Sequence, residues 1–272
     1  MKNLKLHLKK GNLPAFGLMI LLVVVSCKKE NLIKPSLTST NLTKNTTSGV
    51  GYTSLYYPNG SVIRVHFFNN SGNDLVKTKI EQYAKIWEKY ANIKFDFVKH
   101  TEDADIRILI DNSGESYTKG VGTALQRIDK NQFNMKFGDT GDHTTDENLT
   151  QVVLHEFGHA LGLEHEQCHP NTNISYNKLK KQYYFTKFKN VFRSKKNKEE
   201  EEDISQSLPY KKLDGPKEHS KEYDPLSIMH YYFDSNVTIN GKPQATNYEL
   251  SAGDKAFIQK IYPFPEEDYN NL

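Results

Sequence analysis

Eleven consecutive residues constrain this chain most: His155-Glu156-Phe157-Gly158-His159-Ala160-Leu161-Gly162-Leu163-Glu164-His165. Residues four apart share one face of an α-helix, so His155 and His159 can reach a single ion if the stretch is helical. The flanking sequence agrees. Asp146 and Glu147 suit the positive end of a helix dipole, and Leu149, Val152, Val153 and Ala160 supply an apolar face. A helix is predicted over Thr145 to Leu163. Gly162 can adopt the left-handed backbone that stops a helix, and the chain can then turn to bring His165 back as a third ligand. Any fold this chain adopts must hold that helix, break it near Gly162 and return the chain toward its last turn.

Three imidazoles leave the fourth position of a tetrahedral ion open for water, which marks a catalytic rather than a structural zinc site. A structural site would need four closed ligands, and the sequence offers three strong ones. One zinc ion (Zn2+) per chain is therefore expected. Glu156 lies beside the imidazoles, placed to take a proton from a metal-bound water as general base. The five-residue pattern from His155 to His159 is weak evidence alone. Gly162 and His165 at their offsets make it specific.

The rest of the body reads as mixed structure. Val62 to Phe68, Ile93 to Phe97, Asp105 to Ile110 and Gln132 to Phe137 have strand patterns. Val76, Ile80, Tyr83, Ala84 and Trp87 recur at helical spacing within Asp74 to Tyr90. A last helix spans Ser251 to Tyr262, with Ser251 and Asp254 at capping-box spacing. The order implies an α+β fold: a mixed sheet with two packed helices, then an irregular second half that ends in a helix. Gln132 to Phe137 is the expected edge strand for an extended peptide. Lys195 to Asp203, basic then acidic, is expected to be a solvated loop.

The formal net charge of +3 is uneven. Residues 1 to 27 carry four Lys and no acid, so the remaining 32 basic residues face 33 acidic ones. A near-neutral body excludes a nucleic-acid footprint. Lys2 to Lys10 followed by the apolar run Leu13 to Val25 has the form of a secretory leader, too short for a spanning helix. Its end, Val24-Val25-Ser26-Cys27-Lys28-Lys29, resembles a bacterial lipobox. That resemblance implies cleavage before Cys27, lipidation of Cys27 and a membrane-anchored protein of the bacterial cell envelope. The expected organisation is a leader at 1–27, a flexible tether at 28–49, a catalytic domain at 50–265 and a short tail at 266–272. With Cys27 in the leader, Cys168 is the body's single thiol, so no internal disulfide can form. A monomer is expected.

Met229 lies 64 residues after His165, in Ser227-Ile228-Met229-His230-Tyr231. Following the histidine motif, this segment resembles the Met-turn of the metzincins, in which the Met is a floor beneath the zinc. The resemblance sharpens to the astacin-like metallopeptidases. Glu166 directly after the third His, His165-Glu166-Gln167 continuing to Pro170-Asn171, and Tyr223-Asp224 leading to Met229-His230-Tyr231 are similar to that family. So are Tyr57-Pro58-Asn59-Gly60 and the closing segment from Leu250 to Asp254 and on to Ile261-Tyr262. The resemblance spans roughly residues 55 to 263. It implies the metzincin fold, peptide-bond hydrolysis in polypeptide substrates, and Tyr231 as a displaceable fifth ligand that donates to the oxyanion. It departs from the family in lacking the usual disulfides, in Leu163, and in the Lys-rich region 178–222. Cys168 reads as a loop residue, although a thiol there could reach the metal. Two other readings remain at this point: a non-catalytic peptide- or glycan-binding module on a peptidase fold, and a matrixin-like peptidase. The resemblance also implies that Glu166 pairs with an N-terminus freed by proteolysis. Because an acylated Cys27 offers no ammonium, two outcomes remain: Glu166 is solvated or paired with Lys or Arg in an anchored protein active as made, which is the preferred expectation, or a protease cuts the tether near Gly49 and releases a soluble enzyme whose new N-terminus meets Glu166.

Overall fold

The computed structural model describes residues 48–111, 115–138, 144–172, 217–233, 235, 238, 241, 242, 244 and 246–266. Cys27, the proposed leader, Lys195 to Asp203 and most of the Lys-rich region lie outside the described residues. Among the described residues no helix is long and apolar enough to cross a membrane.

A five-stranded sheet forms the first half. Its strands are β2 (Val62–Phe67), β3 (Lys94–Phe97), β4 (Ile106–Ile110), β5 (Tyr117–Thr118) and β6 (Met135–Phe137), in the order β3-β2-β4-β6-β5. The first four strands in that order run parallel; β5 is antiparallel to β6, with Thr118 opposite Met135. The expected edge strand is thus corrected. Residues 135–137 are interior, and β5 is the edge beyond them. Two residues are too few to show alternation, so the sequence carried no period from which to read β5. The loop leading into β6 hangs from Arg107, whose buried guanidinium donates to the carbonyls of Gln132 (2.7 Å) and Ile128 (3.0 Å).

Helix α1 (Asp74–Ala84) connects β2 to β3, as a parallel pair requires. Asn73 caps it, accepting from the Val76 amide at 2.9 Å. The periodicity carried the prediction to Tyr90, but the helix stops at Ala84 and a 3-10 turn covers Trp87–Lys89. Tertiary packing sets that change: Trp87 is fully buried and its indole N–H donates to the Leu154 carbonyl at 3.1 Å. Helix α2 (Asp146–Ala160) packs on α1, and its Phe157 ring meets Phe95 edge-on at 4.9 Å. Thr145 caps α2 by accepting from the Asn148 amide.

A second, two-stranded element joins distant parts of the chain. Strand β1 (Val50–Tyr52) pairs antiparallel with β7 (Lys217–His219). Its other side meets the segment after α2, where the Glu164 amide donates to Val50 O (2.8 Å) and Tyr52 N donates to Gly162 O (3.2 Å). Ser48 and Gly49 are buried as well. The closing helix α3 (Ala252–Ile261) carries the expected capping box between Ser251 and Asp254. Just after it, the Tyr262 hydroxyl donates to Leu161 O (2.9 Å) and accepts from Tyr57 N (3.1 Å), fixing the end of α2.

Candidate metal and catalytic site

The last two turns of α2 carry His155, Glu156 and His159. The helix ends at Ala160, two residues before Gly162, whose φ of +96° is the left-handed conformation expected there. The Gly162 amide donates to His159 O (2.9 Å) and the Leu163 amide to Gly158 O (3.0 Å), a Schellman termination. The chain then returns His165 to its predecessors. One ligand atom from each of His155, His159 and His165 lies within 4.8 Å of the others, and all three residues are buried.

Each ring is held from behind. His155 Nδ1 lies 2.8 Å from Ile228 O, and His159 Nδ1 lies 2.9 Å from Leu163 O. A carbonyl only accepts, so Nδ1 carries the proton on both rings and Nε2 presents its lone pair. His165 Nδ1 faces a carboxylate instead, Glu164 Oε1 at 3.3 Å. Burial pushes the imidazole pKa values down, to about 3 for His155 and His159 and in the same direction for His165. The rings are therefore neutral, as metal ligands must be. His159 Nε2 and His165 Nε2 stand 3.1 Å apart. Two nitrogens bound tetrahedrally at about 2.0–2.1 Å would be roughly 3.3 Å apart, so the donor set fits a shared zinc-sized cation.

Glu156 is buried beside the rings, and Thr118 of the edge strand donates to its Oε2 at 2.6 Å. Burial pushes the Glu156 carboxyl up to about 7, against the opposing pull of the Thr118 hydrogen bonds. The ring of Tyr231 lies across the site, its centroid 4.2 Å from that of His165 and 5.6 Å from that of His155. Burial holds its hydroxyl well above the usual phenol range, so it stays protonated. Met229 is buried against Gly158 of α2. A Cβ on Gly158 would crowd the Met229 sulfur, so a larger residue there would push the Met229 side chain from its seat. The turn carrying Met229 is fixed by Asp254 at the head of α3. Ser227 Oγ donates to Asp254 Oδ1 (2.6 Å) and the Ile228 amide to Oδ2 (2.8 Å). Cys168 is half-buried in a 3-10 turn and forms no disulfide.

The preferred expectation for Glu166 is overturned. It is fully buried rather than solvated, and no Lys or Arg pairs with it among the described residues. Its Oε1 accepts from the Asp224 amide at 2.8 Å, and Oε2 has no partner among those residues. Burial pushes the carboxyl up to about 8, which keeps it neutral below that pH. A folded-state pKa above the ordinary 4.5 contributes stability that is present below about pH 4.5 and lost as the pH rises to about 8. Glu166→Gln should remove that slope. Denaturant unfolding across the interval should show the parent weakening with pH relative to the variant, and parallel curves would refute the assignment.

The matrixin family model matches residues 63–186. A structure of myroilysin is 37% identical over 80% of this chain and 100% of that chain, with a TM-score of 0.68. The chain belongs to the metzincin metallopeptidases, alongside myroilysin. A crystal structure of myroilysin gives 35% identity over 78% of this metzincin and 87% of that chain, with a TM-score of 0.55. High choriolytic enzyme 1, a hatching-enzyme zinc protease of the medaka fish Oryzias latipes, is 17% identical over 78% of this chain and 96% of that chain, with a TM-score of 0.45. No curated protein matches this metzincin. The metzincin fold expected from the Met-turn segment is the observed one. Thr118 and Glu164 were missed as site residues. Thr118 sits in a strand without a period, and Glu164 occupies an unspecified position of the histidine motif.

Proposed function

We propose that this metzincin is a zinc endopeptidase of the astacin type, cleaving peptide bonds in extracellular polypeptides. One observation carries the zinc assignment: His155 and His159 turn Nδ1 to backbone carbonyls, and Nε2 of His159 faces Nε2 of His165 within a buried cluster that His155 completes. His155, His159 and His165 would hold the ion, which when bound supplies Lewis acidity and an acidified water. Glu156, with a carboxyl near neutrality, is matched to take a proton from the attacking water and return it to the leaving amine. Thr118 occupies one of its oxygens and so orients the other. The exposed side of β5 is the edge on which an extended peptide can pair, which aligns a polypeptide beside Glu156. The protonated Tyr231 hydroxyl is the donor for the oxyanion that develops on the substrate carbonyl. Glu166 and Tyr231 favour the astacin type over the matrixin type. The lipobox-like end of the leader supports an enzyme anchored through Cys27 in the bacterial cell envelope, and a monomer is proposed with it.

The test is hydrolysis of an unfolded protein by the purified chain, beside Tyr231→Phe. The parent should cut internal bonds. The variant should lose about 10–10³-fold in kcat, with KM and metal content little changed. An inert parent would overturn the enzyme reading, and equal kinetics would remove Tyr231 from the mechanism.

A further inference from the structure

We propose that Glu164 and Tyr52 are positioning residues for His165, which makes strand β1 the outer wall of the metal site; this rests on the zinc reading above. Of the three histidines, His165 alone has Nδ1 facing a side chain that can carry charge. Glu164 is 1% exposed. A carboxylate in that position is costly unless donors surround it. They do. Oε1 accepts from the His165 backbone amide at 2.9 Å and lies 3.3 Å from His165 Nδ1. Oε2 accepts from the Tyr52 hydroxyl at 3.0 Å, with Lys217 Nζ at 3.9 Å.

The Oε1–Nδ1 contact is an electrostatic one, outside hydrogen-bond geometry, but a carboxylate this close to Nδ1 of a ligating histidine favours the Nδ1-protonated tautomer and raises the basicity of Nε2. The carbonyls behind His155 and His159 supply the first effect, but they carry no full charge. His165 also lies beyond the end of α2, at the head of a single 3-10 turn (Glu166–Cys168) rather than within the long helix that holds the other two.

Tyr52 links this carboxylate to the N-terminal part of the domain. Its backbone is held on one side by Gly162 and on the other by β7. Lys217 is its register partner in β7, and the Lys217 ammonium stands 5.0 Å from the Tyr52 ring centroid. The three residues therefore form one unit behind the third ligand, and that unit exists only while β1 is seated between Gly162 and β7.

The experiment is a zinc titration of the full chain against a competing chelator, for parent, Glu164→Gln and Tyr52→Phe. Glu164→Gln should bind zinc about 10–100-fold more weakly, the usual range for such outer partners. Tyr52→Phe keeps the ring and loses only the hydroxyl, and should weaken binding about two- to tenfold. In both, the rise in melting temperature on adding zinc should shrink more than the metal-free melting temperature falls. A purely structural role would lower both melting temperatures alike, with affinity unchanged. Parent-like affinity in both variants overturns the proposal. If Glu164→Gln does not fold, Tyr52→Phe decides alone. A parent that binds no zinc would instead refute the zinc reading, whatever the variants do.

Discussion

Glu156→Ala should leave the metal in place and lower peptide hydrolysis by about 10²–10⁴-fold, the contribution general acid–base catalysis makes. The geometry separates the two effects. No Nδ1 atom of the three histidines is held by Glu156: those of His155 and His159 meet the carbonyls of Ile228 and Leu163, and that of His165 lies 3.3 Å from Glu164 Oε1. Glu156 is instead tied to Thr118 of the edge strand. Removing its carboxylate takes away a proton acceptor buried beside the attacking position and costs the helix little, since Ala is the best helix former. Steady-state kinetics with zinc analysis on the same sample checks this. Activity within threefold of the parent would show that another group takes the proton.

Removal of the metal should have the larger effect still, taking hydrolysis below detection, with restoration on adding back zinc. The reason lies in the facing Nε2 atoms, 3.1 Å apart. Neutral imidazoles at that separation present lone pairs to each other, and a shared cation turns the repulsion into two bonds. The chelated protein should also be less stable. A ligand held at 100 times its Kd stabilises the folded state by about 2.7 kcal/mol, so thermal unfolding with and without chelator provides a second readout. Undiminished proteolysis by metal-free protein would exclude the histidine cluster as the source of activity.

The parts of this fold that could be read in advance are those whose cause is local. Gly162 announced the helix end because left-handed backbone favours glycine. Ser251 and Asp254 announced α3 because a capping box is a four-residue event. The misreadings have causes far off in sequence. Trp87 leaves its helix for a carbonyl 67 residues away. Residues 135–137 looked like an edge until the two residues of β5 added a strand beyond them. Glu166 carries a charge in isolation, and only its burial in the folded chain removes the solvent that would sustain that charge. In the site, the ligands have a spacing and were legible. Glu164 and Ile228, which face the ligands, and Thr118, which holds Glu156, have none.

The hanging of the Met-turn from Asp254 has a consequence for the order of events during synthesis. Helix α2 can form as soon as its own residues emerge, since its hydrogen bonds are local. His155, however, waits for a carbonyl 73 residues further on, and the turn bearing that carbonyl waits for a carboxylate 26 residues beyond it. Contacts so distant in sequence are the slow ones to form. A growing chain therefore exposes its histidines well before the seat that orients them exists, and a ribosome halted before residue 254 leaves the cluster without its floor. The closing helix is thus the last of the parts the site needs, and the seat of the cluster is complete only once Asp254 has been made.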